Sequence, residues 1–337
     1  MQLVRLRVVK RTPWLAYVLL GVACLAFGAG SALQKKIDVS SDILKLCWRM
    51  QVSLVLLLPF MAITLYRDPE SRRRLCTLRY QAEIVLLSFC QSVWIGVFFI
   101  AIHNTSILHA LLFSSMHSFL MVIFNFCLCR PTARGEVAGV LLGIGGSLIM
   151  LLGPSVPGQV SVLWDMITLG SCVFGICYVL LCDRVRPNVP LALFMPEVML
   201  LASVVAALVT YFKEGTPLWS SATSETIFGW VQPDRLLLVC LGAFLSGIVG
   251  TIGYAACLKY MPAVVVTVAM LLEPVTGDVF GVLLHVEAIP SWSTALGSVV
   301  LMVASLLIIA TESMKSKVQE NDVSAFVTTV EKPEARD

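Results

Sequence analysis

Ten stretches of about 20 mostly apolar residues run along this 337-residue chain, and no other feature constrains its fold as tightly. They cover 14–33, 43–65, 81–102, 105–128, 135–153, 161–182, 189–212, 235–257, 262–284 and 291–311. About 20 apolar residues is the length a helix needs to cross the hydrocarbon core of a bilayer. The alternating pattern of barrel strands is absent from them, and lipid offers no partner to free backbone N–H and C=O groups, so helices are predicted. The charge content agrees. Only 13% of residues are charged, against roughly 25% in soluble domains. That surface deficit excludes a soluble enzyme, a disordered scaffold and a nucleic-acid binder of the basic-patch type. The expected fold is all-α, integral to the membrane and multi-pass, with the lipid bilayer as its solvent.

Connections such as 129–134 and 258–261 are short, which predicts antiparallel neighbours, whereas 213–234 is the longest and carries Trp219 and Trp230 for the membrane interface. Basic residues of short loops set orientation. With the N-terminus inside, the cytosolic side receives Arg5, Arg7, Lys10, Arg11, Arg67, Arg72, Arg73, Arg74, Arg79, Arg130, Arg134, Arg184, Arg186 and Lys259, and the tail adds Lys315, Lys317, Lys332 and Arg336. The other side receives Lys35, Lys36, Lys213 and Arg235, a bias of 18 to 4. Both termini are therefore expected in the cytosol. The first apolar run is long for a cleaved signal peptide and is read as a retained anchor. Eleven cysteines, all but Cys76 in or beside apolar runs, read as small buried hydrophobes. Without a CxxC pair or a Cys/His array they suggest neither a disulfide framework nor a metal.

The two halves of the chain resemble each other. AIHNTSILHALLFSSMHS (101–118) aligns with CLKYMPAVVVTVAMLLEP (257–274) at an offset of 156. EVAGVLLGIGGSLIMLL (136–152) follows on STALGSVVLMVASLLII (293–309), with Gly139 against Gly297. The first and sixth stretches pair at an offset of 148, Cys24 on Cys172 and Lys36 on Arg184. With five helices per half the second half would be inverted relative to the first, the geometry of alternating access. The expected organisation is a cytosolic 1–13, a five-helix repeat at 14–153, a second at 161–311 and a disordered cytosolic tail at 312–337.

The segment CLKYMPAVVVTVAMLLEPVTGDVFGVLLHVEAIPSWSTALGSVVL (257–301) resembles the second repeat of the EamA-type ten-helix carriers in the drug/metabolite transporter superfamily, and LWDMITLGSCVFGICYVLLCDR (163–184) is similar to their sixth helix. The first repeat diverges, with Ser118 where the second has Pro274. The resemblance spans about 14–311. It implies secondary transport of a small organic metabolite, with a central cavity beside the fourth and ninth helices. The superfamily moves amino acids, nucleobases, drugs, nucleotide sugars and sugar phosphates, so a nucleotide-sugar or sugar-phosphate exchanger is an alternative. A non-transporting sensor or scaffold is another.

Ionisable side chains at mid-bilayer cost about 2.5–3.5 kcal/mol each on insertion scales, which makes them candidates by default. Glu273 lies mid-run before Pro274; Asp278 is some 140° further round the helix and cannot share its face. His117 is the repeat-mate of Glu273 at offset 156, and the two are the leading proton-coupling pair. Lys45 and Arg49 share a face, Lys45 snorkelling to the interface and Arg49 deeper. Glu197 is the counterpart in the second half, so an Arg49–Glu197 ion pair is expected, with substrate carboxylate binding by Arg49 as the alternative. Gln91, Trp94, Asn125, Tyr178 and Tyr254 complete the candidates for ligand contact. Gly242, Gly247, Gly250 and Gly253 are read as a close-packing face that can also hinge. No nucleophile–base pair and no metal set falls on one helix face, so neither an enzyme, a cofactor nor a metal is expected. The partners are a small-molecule solute, protons as a coupling ion, and lipid.

Overall fold

The computed structural model describes residues 14–105, 107–127, 133–151, 161–220, 225–261, 263–286, 289 and 291–330. Among these no strand occurs and the backbone is overwhelmingly helical. The first half comprises α1 (Trp14–Lys36), α2 (Asp42–Arg67), α3 (Pro69–Leu75), α4 (Leu78–Asn104), α5 (Ile107–Ser115), α6 (His117–Cys127) and α7 (Arg134–Leu151). The second comprises α8 (Val162–Val185), α9 (Leu191–Glu214), α10 (Pro233–Gly242), a π-helical stretch Ala243–Ile252, α11 (Gly253–Cys257), α12 (Ala263–Ala269), α13 (Glu273–Leu283) and α14 (Trp292–Val330).

Local chemistry sets the boundaries. Ser41 caps α2, its side chain accepting from the Leu44 N–H. Asp68 caps α3 by accepting from the Glu70 N–H, with Pro69 in the first turn where its missing donor costs nothing. Gly215 ends α9 at φ 68°, a left-handed conformation glycine adopts freely.

Among the described residues seven helical stretches are long and apolar enough to cross a bilayer: Trp14–Lys36, Asp42–Arg67, Leu78–Ile102, Val162–Val185, Leu191–Glu214, Pro233–Cys257 and Ala263–Leu283. The chain is an all-α integral membrane protein. Large apolar side chains face outward along these helices, Leu25, Phe60, Phe89 and Leu200 among them, an arrangement that lipid tolerates and water does not. Within the expected spans at 105–128, 135–153 and 291–311 the described residues are also mostly helical, but the apolar helices there are shorter, Ala110–Phe124 and Ala295–Thr311 among them. The first of them is interrupted at Met116, between α5 and α6.

The polar sequence after 311 departs from expectation. Instead of a disordered tail from 312, α14 continues to Val330. Met, Lys, Gln and Glu are good helix formers, so an established helix propagates through them at little cost. The basic residues before 14 and Arg130 lie outside the described residues.

Helices of the first half pack mainly on helices of the second. α2 lies on α9, α4 on α8, α7 on α14, and α5–α6 against both α8 and α12–α13. α1 is gripped between α13 and the π stretch. Two glycines permit that grip. A Cβ on Gly28 would stand 2.7 Å from the Gly277 nitrogen, and one on Gly30 2.6 Å from the Ser246 nitrogen. Helix backbones come this close only where side chains are absent.

Candidate functional site

The centre of the molecule holds a cavity walled by α1, α4, α8, the π stretch, α11 and Met270. Its lining includes Phe27, Gln91, Trp94, Tyr178, Cys182, Thr251, Tyr254 and Met270. About 400 Å3 separates its walls, yet only about 20 Å3 admits the centre of a water, room for a water or two. Among the described residues no Lys, Arg, Asp or Glu lines it.

The walls form two aromatic pairs. The Phe27 and Tyr254 rings lie 6.2 Å apart at 47°, and the Trp94 and Tyr178 rings 6.1 Å apart at 39°. Trp94 is pressed against bare backbone, because a Cβ on Gly175 would meet its indole at 3.0 Å. Behind Trp94 stands His117, edge-on at 4.8 Å and fully buried. Its Nδ1 is 2.8 Å from the Ser114 carbonyl, while Nε2 has no partner. Behind Tyr254 stands Glu273, whose nearest electrostatic neighbours are Tyr254 and Arg49. The Tyr254 hydroxyl lies between the Glu273 carboxyl and the Cys24 thiol. His117 and Glu273 thus occupy separate flanks of the cavity, each shielded by one aromatic wall residue. Asp278 is half-buried and takes no part in the Glu273 surroundings, as its helical angle requires.

Arg49 is buried to 2% exposure. Its Nη2 donates to the Ser246 carbonyl at 3.0 Å and to Thr251 Oγ1 at 2.9 Å, and the guanidinium lies over Phe27 at 5.4 Å and Phe99 at 5.7 Å. Both acceptors belong to the π stretch, whose wide turns tilt carbonyls out of the helical ladder toward such a donor. Thr251 Oγ1 also donates to Ser246 O, which closes the network.

The expected Arg49–Glu197 pair is not formed. Glu197 instead accepts from Tyr80 Oη at 2.9 Å and Gln81 Nε2 at 3.1 Å. The physical reason is position: Pro196 and Glu197 lie in the first turns of α9, where the start of α4 is in reach, while Arg49 is held by the π stretch. Lys45 lies in the first turn of α2. It is buried and 3.7 Å from Asp42, one turn earlier on α2. Trp230, expected at the interface, turns inward and donates to Gln51 Oε1 at 2.7 Å, while Trp219 is 69% exposed.

The cavity brings together Gln91, Trp94, Tyr178 and Tyr254, with Glu273 and His117 behind it. It leaves Glu197 and Asp278 aside. The side chain of Asn125 lies outside the described ones. Phe27, Cys182, Thr251 and Met270 were not anticipated. Phe27 sits in a run of small residues and Thr251 within the glycine cluster, so both had a weak signal as packing positions; Cys182 and Met270 had none.

A second cavity, of about 290 Å3, opens where α3 and α4 meet the end of α8. Arg74, Arg79, Arg184, Tyr80, Glu83 and Asn188 line it, and Glu83 is shared by Arg79 at 3.7 Å and Arg184 at 3.5 Å. At this end Asp68 accepts from Ser71 Oγ at 2.6 Å, which holds its carboxyl below the ordinary range.

No family model matches the sequence, and no curated protein matches it. Among solved structures, one described only as a crystal structure of a protein superposes with a TM-score of 0.64, covering 89% of this chain and 98% of its own at 15% identity. At that identity the likeness is one of fold: the helical arrangement is one that another protein adopts over nearly its whole length.

Proposed function

We propose that the chain is a secondary transporter of a small organic metabolite, a ten-span carrier of the drug/metabolite type built from two inverted five-helix halves with both termini in the cytosol. The observation that carries the reading is the behaviour of the packing when the halves are exchanged. Let each apolar stretch of the first half stand for its counterpart five stretches later. The pairings of α2 with α9, of α5–α6 with α12–α13, and of α7 with α14 then map onto themselves. The grip of the π-stretch helix on α1 maps onto the packing of α4 on α8, and α1 on α13 maps onto α8 on α5. The aromatic walls join helices that this exchange relates, Phe27–Tyr254 linking α1 to α11 and Tyr178–Trp94 linking α8 to α4. A pseudo-symmetric pair of halves with a cavity between them supports alternating access, in which one half rocks against the other about a central site.

Glu273 and His117 are related by that exchange and are proposed as the proton-coupling groups, each communicating with solute through the ring in front of it. The absence of Lys and Arg from the lining weighs against a nucleotide-sugar or sugar-phosphate cargo.

Reconstitution tests the proposal. The full chain in proteoliposomes is expected to give saturable solute uptake driven or modulated by a pH gradient. Glu273→Gln is expected to remove the pH dependence. A folded protein with no saturable flux of any screened solute would make it a sensor or scaffold, and an unchanged pH profile in the variant would remove Glu273 from coupling.

A further inference from the structure

The basic cavity where α3 and α4 meet the end of α8 is separate from the central one. On α4, Tyr80 and Glu83 line the basic cavity while Gln91 and Trp94 line the central one, and the fully buried Ile84 and Leu87 fill the turns between. It opens outward, with the largely exposed Arg79 and Arg184 at its rim.

Its charge is unbalanced. Arg74, Arg79 and Arg184 line it, and among the described residues Glu83 is the one carboxylate in the lining. Glu83 is spread over Arg79 at 3.7 Å and Arg184 at 3.5 Å. Both distances exceed the roughly 2.7–2.9 Å of a charge-assisted hydrogen bond, so both guanidiniums are free to turn toward a better acceptor. Arg74 is braced by Glu70 at 2.6 Å and donates to the Asn188 carbonyl, which ties α3 to the chain after α8. The lining and α3 together carry five arginines against two carboxylates. A volume of about 290 Å3 is that of about ten waters, enough for a phosphorylated headgroup as well as for a bare ion.

The surface beside the cavity selects the source of the anion. Leu86 lies seven residues after Arg79 on α4, and Cys177 lies seven before Arg184 on α8, so each shares a face with its arginine. Both are exposed, as is Val173 one turn beyond Cys177. Phe89, half-exposed, meets Phe174 across the α4–α8 seam with ring centroids 5.9 Å apart. From Glu83 to Phe89 the seam descends about 9 Å, from guanidinium to phenyl. Charge at one level and an apolar track below it match a phospholipid, not a free solute.

We infer that this cavity binds the phosphomonoester headgroup of an anionic phospholipid whose acyl chains lie along the α4–α8 seam. A phosphomonoester brings about −1.5 to −2 charge at neutral pH and three acceptor oxygens, which suits guanidiniums approaching from separate helices. Basic pockets between helix ends are suited to such headgroups. Arg74 and Arg79 belong to the first half and Arg184 to the second, so the lipid bridges the halves at this end. Assignment to the cytosolic leaflet rests on the proposed orientation, whereas binding itself does not.

The test is titration of the purified full chain with dioctanoyl phosphatidylinositol 4-phosphate, read by native mass spectrometry. One saturable site is expected, for which dioctanoyl phosphatidic acid competes and phosphatidylglycerol and phosphatidylcholine do not. Glycerophosphoinositol 4-phosphate, the same headgroup without chains, is expected to bind at least about 10-fold more weakly, since burial of acyl CH2 groups is lost. Arg79→Gln and Arg184→Gln are each expected to weaken lipid binding about 5-fold. Arg72→Gln, on α3 but outside the lining, is expected to change it less than about 2-fold. Phe89→Ala is expected to weaken the lipid but not the chainless headgroup. Phosphatidylglycerol binding as tightly as the phosphoinositide, or an equal loss in Arg72→Gln, would reduce the site to diffuse attraction and overturn the assignment. A chainless headgroup as tight as the lipid would make it a site for free organic phosphates, which overturns it equally. Should a variant fail to fold, the wild-type competition series decides. None of these readouts involves solute flux, so their failure leaves the carrier reading standing.

Discussion

Replacing Arg49 with Met asks whether the buried charges of this protein act as a set. The wild-type guanidinium makes two hydrogen bonds, at 3.0 and 2.9 Å, and lies over two phenyl rings. Hydrogen bonds to charged groups contribute about 1.5–3 kcal/mol each, but a buried Arg also carries a desolvation cost that Met does not. Arg49→Met is therefore expected to destabilise by about 2–5 kcal/mol, the two lost hydrogen bonds less the relieved desolvation. Glu273 interacts with Arg49 electrostatically without an ion-pair contact. Neutralising Glu273 as well removes that interaction, so Arg49→Met/Glu273→Gln is expected to differ from the summed single effects by about 1–2 kcal/mol. Reversible unfolding in mixed micelles, measured on all four members of the cycle, reads this number. Additivity within about 0.5 kcal/mol would refute the coupling.

Other perturbations test separate features. Gly30→Ala forces a methyl to 2.6 Å from the Ser246 nitrogen and is expected to cost about 1–3 kcal/mol by thermal melting, whereas Gly21→Ala, which meets nothing within 4 Å, is expected to leave the melt unchanged. Tyr80→Phe removes a donor to Glu197 and is expected to cost about 1.5–3 kcal/mol, with the 84%-exposed Tyr66→Phe as the silent control. The lowered Asp68 carboxyl stabilises the start of α3 while ionised, a contribution fully present above its unfolded value of about 3.9 and lost as pH falls through the lower folded value. Amide exchange in 69–75 is accordingly expected to accelerate only below about pH 4, and Asp68→Asn to abolish that dependence.

What could be read from residues alone follows from which forces act over short range. Helices 14–36 and 191–214 emerge where 14–33 and 189–212 were expected, because hydrophobic length and caps are local signals. Gln91, Trp94, Tyr178 and Tyr254 were singled out as polar or aromatic residues within apolar runs, and all four line one cavity. Pairings were harder. Arg49 and Glu197 are plausible partners by charge and depth, but Arg49 is captured by a carbonyl, and backbone carbonyls are identical in every sequence. The π stretch is hidden for a similar reason: its glycines and small residues are compatible with tight α packing, and the guanidinium that bonds to it arrives from another helix. Lys45 found Asp42 because a side chain one turn away is nearer than the headgroups.

That widened stretch has a mechanical consequence. A π turn is wider than an α turn, so returning 243–252 to α geometry would turn everything beyond it round the helix axis and shift it along that axis. Arg49 grips Ser246 and Thr251 inside the stretch, while Tyr254 enters the cavity just past its end. Release of that grip would therefore turn Tyr254 out of the wall without moving α10. In such a motion the arginine would be the pawl of a ratchet and the phenol its tooth.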